Sequence, residues 1–156
     1  MQSAQMERIF RSLDDIQIEL PSWGFANTGT RFGKFLQAAA ATTIEEKIRD
    51  AAQVHSVTGV CPSLALHVQW DFPEGLASVR GVKAACKLHN ISPGAINPNL
   101  FENQIYKHGS FGNPDPAVRA QALQHVFDSI AIAHELNSRD LSLWFADGST
   151  IPGPPI

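Results

Sequence analysis

The sequence predicts an α/β fold with parallel strands, and three observations point to it. Four short apolar segments have the length and composition of buried strands: residues 16–20, 63–68, 94–97 and 141–145. Three longer segments with helical spacing alternate with them. Polar and aromatic residues gather just after the strand candidates, where folds of this class carry their chemistry. Such alternation implies right-handed crossovers, with helices packed on the sheet faces. The 156 residues match one domain with room for a core, and 44% hydrophobic against 17% charged residues fits a globular chain.

An amphipathic helix is expected first, over residues 4–13, and leads into strand one. After a long connection, Thr43 and Glu46 have the spacing of a capping box, so a helix starts there with Ile44, Ile48, Ala51 and Ala52 on its apolar face. Strand two leads to a second helix expected to begin near Asp71, with Pro73 in its first turn and Leu76, Val79, Ala85 and Leu88 facing the core. After strand three, Asp115 and Pro116 form a cap and first residue for a third helix. Val118, Ala122, Val126, Ile130 and Ala133 make its stripe, and Asn137 suits a left-handed stop. Strand four ends the pattern, followed by a turn and no further helix, as where a continuing fold is cut. The connections 24–42 and 98–114 exceed the usual βα loop and are expected to be functional. Four strands and three helices fit either a small open sheet or half of an eight-stranded barrel.

Charge and composition exclude several roles. A net charge of −3 argues against a nucleic-acid surface. No apolar run approaches the roughly 20 residues of a membrane helix. Glu7, Arg8, Arg11, Asp14 and Asp15 break any secretory signal at the start. Cys61 and Cys86 lie far apart with no paired-cysteine motif, which reads as buried reduced thiols in a cytoplasmic protein.

The strand ends hold the candidates for chemistry. His67 closes an apolar strand, where an imidazole is poorly placed unless it faces a pocket or is satisfied within the core. Asp71, four residues on, is a candidate to orient it. Trp23, Trp70 and Trp144 stand at three strand ends, which fits either a platform for the apolar faces of a sugar ring or a packed rim with no ligand. Other motifs fail on inspection. The Gly29…Gly33-Lys34 stretch is one residue short of a nucleotide loop, and Phe35 stands where Ser or Thr should hold magnesium. Arg31 and Phe32 remain as loop residues suited to a subunit contact. His134-Glu135 lacks the second histidine of a zinc helix, and His125 lies on a poor relative face. His55, His89 and His108 are scattered, so no metal-ligand spacing is found. Asp147-Gly-Ser reads as a turn, with no base identified for Ser149.

A run of segments then carries a family pattern. Ile18-Glu-Leu-Pro-Ser-Trp-Gly-Phe-Ala-Asn-Thr-Gly-Thr-Arg-Phe resembles the strand-one signature of bacterial L-rhamnose isomerases, of the metal-dependent, xylose-isomerase-like barrel group. Asp50-Ala-Ala-Gln-Val-His, Ala65-Leu-His-Val-Gln-Trp-Asp and Gly94-Ala-Ile-Asn-Pro-Asn-Leu-Phe are similar to it in order and spacing. So are Tyr106-Lys-His-Gly-Ser, Asn113-Pro-Asp-Pro-Ala-Val-Arg and Leu143-Trp-Phe-Ala-Asp-Gly-Ser.

The resemblance implies the amino-terminal half of a TIM (β/α)8 barrel, about four βα units over 1–156, cut after strand four. It implies an aldose–ketose isomerase that interconverts L-rhamnose and L-rhamnulose in the cytoplasm. Trp23, His67 and Trp144 match substrate-pocket positions, with His67 the candidate catalytic residue for ring opening. Phe32 and Phe101 match loop positions that reach a neighbouring subunit's pocket, and the family is typically tetrameric. Its divalent ions, commonly manganese, are held by Glu, Asp and His residues from later strands, so the expected ligands lie beyond Ile156 and none within this chain. The alternative is a catalytically silent sugar-binding or structural half-barrel that works with a partner.

Overall fold

The computed structural model describes residues 2–27 and 37–145, with side chains from Ala4 onward. Three strands, β1 (Glu19–Pro21), β2 (Ser63–His67) and β3 (Ser92–Asn97), form one parallel sheet in the order β1-β2-β3. Helices α1 (Gln2–Asp14), α2 (Ile44–Thr58), α3 (Val68–Asp71), α4 (Val79–Leu88) and α5 (Pro116–Leu136) precede and separate the strands. Leu20 pairs with Leu64, and Leu66 with Ile96, so these side chains share one face and pack under α2, α4 and α5. Ile48, Ala51, Val82, Cys86, Ile132 and Leu136 complete that core. Glu19, Ala65 and His67 alternate with the core residues along β1 and β2, which sends them to the opposite face.

Local capping explains where the helices begin and end. Glu46 N donates to Thr43 Oγ1 (3.2 Å) while Glu46 Oε2 accepts from Thr43 N (3.2 Å), and Gly59 closes α2 with φ +75°. Asp115 Oδ1 accepts from Ala117 N (2.8 Å), Pro116 fills the first turn, and Asn137 ends α5 with φ +59°. Ala122, Val126 and Ala133 are buried as the stripe predicts, whereas Ile130 is exposed and Ser129, Ile132 and Leu136 take inward positions.

Three expectations are corrected. Strand one starts at Glu19, later than residue 16, and Ile16 and Ile18 remain half exposed. The second helix does not start at Asp71: α3 stops there, a 3-10 turn spans Gly75–Ser78, and α4 begins at Val79. Asp71 cannot cap an outward helix because its carboxylate is turned inward, and Leu76 and Leu88 consequently face solvent. Strand four contracts to a single parallel bridge between Leu141 and Ile96, built from Ile96 N to Asp140 O (3.0 Å) and Ser142 N to Ile96 O (2.9 Å). Residues 142–145 lie outside any strand and are exposed. Within the 98–114 connection, Leu100 and Tyr106 pack on Ala122 and Val126 as a second small core. No helix among the described residues is long and apolar enough to cross a membrane.

Candidate functional site

The sheet ends converge on one aromatic cluster. β1 runs into a 3-10 turn, Ser22–Phe25, that carries Trp23. β2 ends at His67 and passes directly into α3, which carries Trp70. β3 leads to Asn99 and Phe101, and the segment after Leu141 brings in Trp144. His67 stacks on Trp70, with ring centroids 3.5 Å apart and planes at 14°. Trp23 and Phe101 meet the imidazole edge-on at 6.0 and 6.3 Å. Phe101 in turn meets Trp144 at 4.5 Å. Trp23, Trp70, Phe101 and Trp144 thus line up around one histidine, with Trp144 the most open at 43% exposed. Phe32, Arg31, Asp147 and Ser149 lie outside the described residues.

His67 is 4% exposed, and among the described residues neither ring nitrogen has a hydrogen-bond partner. Burial pushes its pKa down to about 4; the Glu102 carboxylate opposes that shift, while His125 and Lys47 add to it. At neutral pH the ring is therefore uncharged, offering one N–H donor and one bare nitrogen acceptor. The expectation that Asp71 orients this ring is not met. Asp71 Oδ2 accepts the backbone N–H of His67 (2.7 Å), not a ring N–H. The same Oδ2 also accepts from Ser22 Oγ (2.5 Å), and Oδ1 accepts from Lys47 Nζ (2.7 Å). This buried ion pair ties the β1 turn, α2 and the β2–α3 junction together beneath the aromatic cluster, and fixes backbone rather than imidazole.

Ser22 and Asn99 stand in the stretches after strands one and three, whereas Glu102 and Lys47 were not singled out by their sequence positions. Glu102 Oε2 accepts from Trp70 Nε1 (3.0 Å) and from Asn99 Nδ2 (2.8 Å). Asn99 Oδ1 accepts from the backbone N–H groups of Phe101 (3.2 Å) and Glu102 (3.0 Å). His125 Nε2 accepts from Asn99 N (3.0 Å), so its proton sits on Nδ1, and burial lowers its pKa. The available signal was the Asn99-x-x-Glu102 spacing, a side chain folding back on its own loop.

Among the described residues no group of three His, Cys, Asp or Glu gathers to hold a metal ion. The described residues would not hold a divalent ion, and the resemblance assigns its ligands to later strands. The chemistry of the cluster is that of a dry aromatic wall with a neutral histidine in it. Such a wall can pack against an apolar ring face, and the histidine can both give and take a hydrogen bond.

No family model matches the chain. It is 32% identical over 153 residues to a protein of Mesorhizobium japonicum named a probable sugar isomerase, a match that covers 95% of this chain and 35% of that protein. A probable sugar isomerase of Rhizobium meliloti is 33% identical over 141 residues, 87% of this chain and 32% of the relative. A xylose isomerase of Thermus thermophilus is 32% identical over 66 residues, 42% of this chain and 17% of its own length. The chain therefore spans about a third of the length of the two relatives it matches almost throughout.

Proposed function

We propose that this chain is the amino-terminal part of a sugar isomerase, the part that supplies the aromatic side of the substrate pocket. The parallel order β1-β2-β3, continued by the Leu141–Ile96 bridge, is what the first four strands of a β/α barrel would need. Similarity to two probable sugar isomerases over most of the chain supports the same class. The substrate we propose is L-rhamnose, interconverted with L-rhamnulose, on the strength of the segment pattern around Trp23, His67 and Trp144. The metal ligands, the remaining strands and any tetramer belong to the whole protein in this proposal.

The observation that carries it is the buried His67 ring with both nitrogens unpartnered among aromatic rings. A buried polar atom with no partner costs about 1–3 kcal/mol, so its retention at strand ends favours a ligand that completes it. In our scheme Trp23, Trp70, Phe101 and Trp144 hold the sugar's apolar faces. One His67 nitrogen donates to the ring oxygen as the C1–O bond opens, and the other accepts from a hydroxyl. C1-to-C2 transfer then follows, by hydride shift or through an enediol, on the groups of the whole protein.

L-Rhamnose titrated into the chain should quench or shift tryptophan fluorescence saturably, and His67→Ala should abolish the response. Joined to the remaining two thirds of a relative, the chain should support manganese-dependent conversion to L-rhamnulose. Saturable sugar binding without any turnover in the joined protein would favour the silent binding module instead. No response to any aldose or ketose would sink both.

A further inference from the structure

Glu102 is exposed, in a connection between β3 and α5, and a carboxylate there would ordinarily be only a solvated charge. Its surroundings are different. The Oε2 atom takes the Trp70 indole N–H and the Asn99 amide, so two donors from separate elements meet on one oxygen. Asn99 is 3% exposed and is itself pinned: its backbone N–H goes to His125 on α5, and its Oδ1 folds the loop by accepting from Phe101 N and Glu102 N. A continuous chain of hydrogen bonds thus runs from α5 through Asn99 and Glu102 to Trp70. Trp70 lies face to face on His67 at 3.5 Å, and Phe101, whose N–H the same Asn99 holds, lies edge-on at 6.3 Å.

We infer that Glu102 is a positioning residue of the sugar site: it fixes the Trp70 indole against His67 and thereby keeps the imidazole dry and in one orientation. The inference rests on the sugar-pocket proposal only for what the positioned ring is used for. The indole alone has rotational freedom about two side-chain bonds, and one hydrogen bond from Nε1 removes it. Glu102 also adds a negative charge that favours protonated His67. Positioning and charge therefore act on His67 in opposite senses. Removing the charge alone lowers the imidazole pKa, whereas releasing Trp70 lets water in and raises it.

That opposition gives the test. The histidine resonances of the labelled chain are followed through a pH titration for wild type, Glu102→Gln and Glu102→Ala. Gln keeps an oxygen acceptor for Trp70 Nε1 without the charge, so His67 should titrate at or below its wild-type value. Ala removes both, and because burial is the larger influence on His67, its pKa should climb from about 4 toward 6.5. The indole N–H resonance of Trp70 should keep its hydrogen-bonded shift in Glu102→Gln and lose it in Glu102→Ala. Downward shifts in both variants would reduce Glu102 to an electrostatic neighbour, and no shift in either would leave it without a role; each result overturns the inference. In a parallel titration, Glu102→Ala should weaken L-rhamnose binding by about tenfold, the scale of one lost interaction, with Glu102→Gln near wild type. Equal weakening in both variants would count against positioning. A wild-type chain that binds no L-rhamnose would remove the sugar proposal, and the His67 titration would still decide the role of Glu102.

Discussion

Asp71 is the point at which the greatest loss of stability is expected. The residue is 0% exposed, and its carboxylate accepts from Lys47 Nζ, Ser22 Oγ and His67 N, the Lys47 side chain being only 4% exposed. Asp71→Asn keeps the shape, removes the charge and leaves a buried ammonium without its counter-ion. Breaking a buried pair from one side costs about 3–5 kcal/mol, a large share of the roughly 5–15 kcal/mol that holds a domain folded. Ser22→Ala is gentler: the carboxylate loses one charge-assisted hydrogen bond but keeps Lys47 and the His67 N–H, for about 1.5–3 kcal/mol. Urea unfolding at neutral pH, followed by far-ultraviolet circular dichroism, measures both. If Asp71→Asn leaves too little folded chain, Ser22→Ala alone carries the test. Added salt should change neither loss much, because buried charges are screened poorly. Losses below about 1 kcal/mol in both variants are what a solvated surface pair gives, and would refute the idea of a dry polar lock under the site.

Three further outcomes are expected. His67 takes a proton near 6.5 when unfolded but at about 4 when folded, so the unfolded chain gains protons first as pH falls. Its contribution is complete above about pH 6.5, declines below it and is exhausted near pH 4, at most about 3 kcal/mol in total. His125, also lowered by burial, adds in the same direction. Urea midpoints across this window should fall, and His67→Gln should flatten the fall; an unchanged slope would mean a solvated ring. Gly94 lies under the Glu19 carboxylate, which accepts from Ala95 N (2.8 Å), and a methyl group there meets that carboxylate directly. Gly94→Ala should expel Glu19 and cost about 1–2 kcal/mol, while the same change in a Glu19→Ala background should cost far less. In the joined enzyme, His67→Asn should slow turnover of the cyclic sugar by roughly 100-fold, with metal affinity unchanged. Trp23→Ala should instead raise KM more than it lowers kcat, as a uniform-binding residue does, and steady-state kinetics would separate the two.

The parts of the fold legible in the sequence are those decided within three or four residues. The Thr43–Glu46 box and the Asp115-Pro116 start place α2 and α5 because capping depends only on near neighbours. Asp71 with Pro73 imitates the same signal, yet its carboxylate is claimed by Lys47, 24 residues back, and Ser22, 49 residues back. Tertiary demand overrides the local pattern there, and the helix is postponed to Val79. Strand four is short for a related reason. Apolar composition marks Leu141-Ser-Leu-Trp-Phe as strand-like, but a strand extends only as far as a neighbour supplies ladder bonds, and among the described residues β3 does so only around Ile96. Along α1, Met6, Ile9, Phe10 and Leu13 have helical spacing and all remain about half exposed. Periodicity fixed the helix without saying whether anything in this chain would cover its apolar side.

Within the site, His67, Trp23, Trp70 and Trp144 drew notice as residue types at strand ends, and Phe101 only through the family resemblance. What holds them did not. Glu102 reaches Trp70 across 32 residues, and no residue pattern near Trp70 names its acceptor. The most telling feature is a missing partner rather than a contact. Asp71 stands four residues from His67 and invites pairing with its imidazole, but the short turn of α3 aims the carboxylate at the His67 backbone instead. That leaves both ring nitrogens buried and unclaimed, beside aromatic surfaces that cannot accept or supply an ordinary hydrogen bond. A core under selection for stability alone would replace such a ring with an apolar one of similar size, because every orphaned polar atom weakens it. The same ring becomes favourable once hydroxyl groups enter the cluster and take up both nitrogens. Under the proposed function, the cost of these two unpartnered nitrogens is the part of the binding free energy that a polyhydroxylated ligand would recover.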